Sequence, residues 1–136
     1  MGDRHVVFWD FDGTLAERDG MWPAILHDAM LAVDPGNAIS VEDIAPWMEQ
    51  GFLNWKPGQL RIYPNAAAWW ASASATLVDA CCAAGIESAI AERAAAEVPR
   101  IYYRTRNWRI MPGAFESADD NLQRRTTKCN SQQSCT

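Results

Sequence analysis

A short apolar run, Val6-Val7-Phe8-Trp9, ends in Asp10-Phe11-Asp12-Gly13-Thr14, and this junction limits the possible folds more than any other stretch of the chain. Consecutive bulky apolar residues without alternation suit a strand covered on both faces, as in a parallel sheet. A strand of that kind aims its last residues into the crevice at the carboxyl edge of an open α/β sheet, where ligands bind. Carboxylates there can hold a hard cation, act as a nucleophile, or do both. Gly13 allows a left-handed turn or a close backbone approach to a ligand, and Thr14 adds a hydroxyl. The same letters also fit a bare strand closed by an Asp-Gly turn.

Composition removes several function classes. The chain has 136 residues, enough for one small domain or part of a larger one, and 49% of them are apolar, so a core is available. Its net charge of −5 argues against a nucleic-acid partner, which needs clustered Lys and Arg. Arg100, Arg104, Arg106 and Arg109 form a local basic stretch that reads as a solvated segment near a helix end. No secretory pattern or membrane-length apolar segment is visible, so no membrane association is expected. Cys81, Cys82, Cys129 and Cys135 include no C-x-x-C spacing, which points to reduced thiols in a cytoplasmic protein.

The remainder reads as helices. A first helix fits residues 23–33, with Pro23 in its first turn and Ile25, Leu26, Ala29, Met30 and Val33 on one face. Ser40 can cap a short second helix that carries Glu42 and Asp43 in its first turn and is kinked or shortened at Pro46. Residues 51–64 read as a loop. Asn65 can cap a long helix running to Ala84, with Gly85 as its stop. An alanine-rich helix spans residues 88–98 and can continue past Pro99 to Tyr103. A last helix fits residues 114–124. Trp69 and Trp70 read as helix packing. Trp55 and Lys56, in a loop, are better placed to contact a substrate.

Val-Val-Phe-Trp-Asp-Phe-Asp-Gly-Thr-Leu resembles the first motif of the haloacid dehalogenase (HAD) superfamily of hydrolases. Gly51-Phe52, Trp55, Pro57, Trp69-Trp70 and Met111-Pro112-Gly113-Ala114 are similar in order and spacing to its helical-cap subfamily. The resemblance implies an α/β fold. Residues 1–16 and 108–125 would form part of a HAD-like Rossmannoid core, holding only its first strand and first post-cap helix. Residues 17–107 would form an all-helical cap that covers the acid site as a lid, and the chain as it stands would be mostly helical.

The resemblance also implies a mechanism. Asp10 would attack phosphorus, giving an aspartyl-phosphate. Asp12 would protonate the leaving oxygen and later deprotonate the hydrolytic water. Mg2+ would be held by the Asp10 carboxylate and the Asp12 backbone carbonyl, offsetting charge repulsion. Thr14 would orient these groups and the substrate, with Trp55 and Lys56 as further substrate contacts. The implied activity is magnesium-dependent hydrolysis of a small organic phosphate ester. A haloacid dehalogenase-type reaction uses the same nucleophile but expels halide, which leaves Asp12 idle.

The family pattern stops near Arg124. Residues 126–136 are polar throughout and cannot form a buried strand, so a disordered tail is expected. The Ser/Thr-ending strand, the phosphate-binding lysine and the final acidic motif have no counterpart, and Asp119-Asp120 reads as a solvated helix face. A frameshifted or truncated gene product, catalytically incomplete, is therefore expected; reading the downstream DNA in all three frames tests this. A non-catalytic remnant or helical binding module is the other reading. An incomplete sheet with open edges invites association, although no residue pattern sets an oligomeric state.

Overall fold

The structure is a computed structural model and describes residues 8–49, 62–117 and 119. It is mostly helical, with a small two-stranded antiparallel sheet. The chain divides into two compact units: a terminal unit, built from the two ends up to Arg18 and from Arg106, and a helical unit, Asp19–Thr105, inserted between them.

In the helical unit, α1 (Met21–Val33) buries Ile25, Leu26, Ala29 and Met30 on the face that the sequence periodicity marks. It starts ahead of Pro23 because that residue still falls among the first amides, which have no partner within the helix. Gly20 turns the chain into the helix at φ +69°, and a Cβ there would lie 2.7 Å from the Ala24 Cβ, so only glycine fits. The loop that follows is held by the Asn37 side chain. Its Nδ2 donates to Asp34 Oδ2 (3.1 Å), and its Oδ1 accepts from the Ile39 amide (3.0 Å). His27 Nε2 lies 3.1 Å from the Ile39 carbonyl.

Helix α2 (Val41–Glu49) begins with a capping box. The Asp43 amide donates to Ser40 Oγ (3.2 Å), while the Ser40 amide and hydroxyl both donate to Asp43 Oδ2 (2.9 and 2.8 Å). Those donors hold the Asp43 carboxyl below its ordinary value, the backbone bond contributing most. Pro46 sits inside this helix without ending it. It removes one backbone hydrogen bond, and burial of Ile44 and Met48, one turn apart, offsets the loss.

Helix α3 (Ala66–Ala83) is capped by Asn65, whose Oδ1 accepts from the Ala68 amide at 2.9 Å. It ends in a Schellman motif. Gly85, at φ +90°, donates its amide to the Cys82 carbonyl (3.0 Å), and Ile86 donates to the Cys81 carbonyl (3.0 Å). Helix α4 (Ser88–Tyr102) runs through Pro99, as the sequence allows, and buries Ala91, Ala94, Ala95, Val98 and Ile101. Its alanine-rich face packs against both α1 and α3. Small side chains let those backbones approach closely, while Leu77, Met30 and Cys81 fill the space between. Cys81 Sγ lies 3.9 Å from Met30 Sδ. Burial, with a smaller push from Cys82, raises the Cys81 thiol to about 11, so it packs as a neutral group.

Trp22 at the start of α1, Trp69 and Trp70 at the start of α3, and Tyr102 and Tyr103 at the end of α4 meet at one end of this unit. Trp22 stacks on Tyr102 at 5.1 Å, and Trp70 meets Trp69 edge-on at 4.8 Å. Trp70 Nε1 donates to the Tyr103 hydroxyl at 3.3 Å. Trp69 and Trp70 are thus packing residues, as their helical spacing predicts.

The terminal unit departs from expectation. Val6 and Val7 lie outside the described residues. Phe8 and Trp9 belong to no strand, and Phe8 is 91% exposed. The observed strands are β1 (Ala16–Glu17) and β2 (Arg109–Ile110), antiparallel, with Ala16 opposite Ile110 and Glu17 opposite Arg109. The reason is physical: an apolar run forms a buried strand only where neighbouring strands take up its amides and carbonyls. No parallel sheet occurs among the described residues, so the expected Rossmannoid core strand is not found there. Of the expected last helix, residues 114–117 are helical, with the Ser117 amide donating to the Gly113 carbonyl at 2.9 Å. Asp119 is helical and exposed, as a solvated face requires. The expected tail, 126–136, lies outside the described residues.

Candidate functional site

Asp10, Asp12 and Thr14 fall on one tightly wound segment of the terminal unit. The Phe11 carbonyl accepts from the amides of Thr14 (3.3 Å), Leu15 (3.1 Å) and Ala16 (3.0 Å), while the Gly13 amide donates to the Ala16 carbonyl (2.7 Å). Gly13 closes this loop at φ +77°, a conformation that a Cβ would strain, so the glycine is there for the turn. Asp12 and Ala16 form an isolated parallel bridge. That bridge runs through the Phe11 carbonyl and the Gly13 amide, on either side of Asp12, rather than through Asp12's own peptide groups.

Asp10 is exposed, and its Oδ1 accepts from the Phe11 amide at 2.9 Å. That bond orients the carboxylate through one of its oxygens. Asp12 is half-buried and Thr14 exposed. The sequence reading placed the acids at the end of a buried strand. Here they sit in an exposed turn, because the residues just before them are not strand.

Three contacts anchor this turn within its unit. Phe11 meets Trp108 edge-on at 5.0 Å. The Met111 amide donates to the Leu15 carbonyl at 2.9 Å. Arg109 pairs with Glu17 at 3.3 Å. Sequence reading missed Phe11, Glu17, Trp108 and Arg109 as supports. Their only signal was the short Trp108–Met111 run before Pro112-Gly113, and its partner lies some 92 residues away.

The other named candidates, Trp55 and Lys56, lie outside the described residues. Among the described residues no group of three or more His, Cys, Asp or Glu side chains could hold a metal ion. The hard oxygen donors of the turn include the Asp10 carboxylate and the carboxylate and carbonyl of Asp12. All are hard donors of the kind that Mg2+ accepts, and it commonly binds through one or two carboxylates while keeping several waters. By donor chemistry the residues fit that ion.

The described residues thus define a class: a mostly helical protein with a small antiparallel sheet and an acid-bearing turn. No described helix is long and apolar enough to cross a membrane. Comparison with protein-family models, with curated proteins and with solved structures finds no match to this chain.

Proposed function

We propose that the chain is a HAD-like hydrolase, a magnesium-dependent phosphatase acting on a small organic phosphate ester, with Asp10 as nucleophile and Asp12 as acid and base, and that its turnover is slow because the sequence carries no counterpart of the family's phosphate-binding lysine or final acidic motif. The observation that carries this reading is the segment Asp10–Thr14: a carboxylate oriented by the next amide, a glycine-closed turn, and a second acid two residues on. A carboxylate oxygen of Asp10 attacks phosphorus, forming an aspartyl-phosphate while the ester P–O bond breaks. Asp12 gives its proton to the departing alkoxide. It then takes one from the water that attacks the intermediate, which releases phosphate and restores Asp10. Thr14 orients the incoming ester. The Asp10 carboxylate and the Asp12 carbonyl would hold Mg2+, which would supply charge neutralisation between carboxylate and phosphate. A cytoplasmic setting with reduced thiols belongs to the same proposal, in keeping with a sequence that has no C-x-x-C spacing.

The test is hydrolysis of paired phosphate esters with and without Mg2+. Phosphate release from p-nitrophenyl phosphate should depend on Mg2+ and disappear in Asp10→Asn. Asp12→Asn should slow an alkyl ester far more than the nitrophenyl ester, whose leaving group needs no proton. Equal slowing of both esters would remove Asp12 from its role. Halide release from a chloroacid would favour dehalogenase chemistry instead.

A second reading, a helical binding module without catalysis, draws on a different observation. Among the described residues, every buried apolar side chain except Ala16 belongs to the helical unit. Phosphate release no faster than background in the wild type, and unchanged in Asp10→Asn, would favour this reading.

A further inference from the structure

We draw no further inference here: the strongest candidate, the half-buried aromatic cluster of Trp22, Trp69, Trp70, Tyr102 and Tyr103 at one end of the helical unit, packs ring against ring, and nothing in the structure shows what covers its exposed edge.

Discussion

The helical unit and the terminal unit bury their apolar residues to very different degrees. In the first, α1, α3 and α4 close over Ile25, Leu26, Met30, Leu77, Val98 and Ile101, all essentially inaccessible to water. In the second, Phe8, Phe11, Ile110 and Phe115 remain between 41% and 91% exposed. The difference follows from what each element needs. A helix satisfies its own backbone and asks only for an apolar stripe to face another. A strand needs neighbours before it can bury anything. The terminal unit relies instead on a wound turn, a two-residue ladder and an exposed ion pair.

The comparison breaks most sharply under truncation of large side chains. Leu77→Ala should destabilise the protein by about 2–5 kcal/mol, since it empties a buried site between helices. Phe8→Ala should change stability by no more than about 0.5 kcal/mol, because that ring is already in water. Urea unfolding followed by far-ultraviolet circular dichroism measures both. A Phe8 effect as large as that of Leu77 would mean that the terminal unit has a core of its own.

Glycine replacement should have smaller effects. Gly85→Ala places a Cβ at φ +90° and should cost about 1–2 kcal/mol, through strain alone, because nothing lies within 4 Å of that position. Gly20→Ala should cost more than Gly85→Ala, since it adds a collision with Ala24 to the strain. Reversal of that order in the same unfolding assay would contradict the tight entry into α1.

The capping box of α2 sharpens the comparison through pH. Ser40→Ala should cost about 1 kcal/mol at neutral pH. The Asp43 carboxyl titrates below its ordinary value of 3.8 when folded, so its contribution is present above that value. It fades as pH falls through the lower folded value. Native-state hydrogen-exchange protection at the start of α2, measured relative to the intrinsic rate at each pH, should therefore fall on acidification in the wild type and much less in Asp43→Asn. The smallest effect is expected at the surface pair of the terminal unit. Arg109→Ala should change stability by no more than about 0.5 kcal/mol, because both side chains are about half-exposed.

Much of the helical unit was legible in the sequence because its signals are local. Ser40 and Asn65 cap helices, Gly85 stops one, and the 25-26-29-30 face of α1 is read from spacing alone. Helix α4 continues through Pro99 because Val98 just before it and Ile101 two residues after it are both buried, so packing offsets the lost hydrogen bond. The terminal unit was less legible. A two-residue strand carries no periodicity, and its partner lies most of the chain away, so the pairing of residues 16–17 with 109–110 left no pattern to find. Of the expected strand, the described residues Phe8 and Trp9 are not in one, for the complementary reason: an apolar run states what a segment could bury, and not whether neighbours exist to bury it. Of the candidate site, Asp10, Asp12, Gly13 and Thr14 were readable as a motif. The amide that orients Asp10 and the Phe11–Trp108 contact emerge only in three dimensions.

The central claim is that Asp10 takes the phosphoryl group. The direct measurement is mass spectrometry of the full chain quenched in acid during incubation with p-nitrophenyl phosphate and Mg2+, then digested. The account predicts a hydroxylamine-sensitive phosphoryl adduct on the peptide that contains Asp10, absent without Mg2+ and absent in Asp10→Asn. An adduct that persists in Asp10→Asn, or phosphate release with no adduct on that peptide, would contradict it.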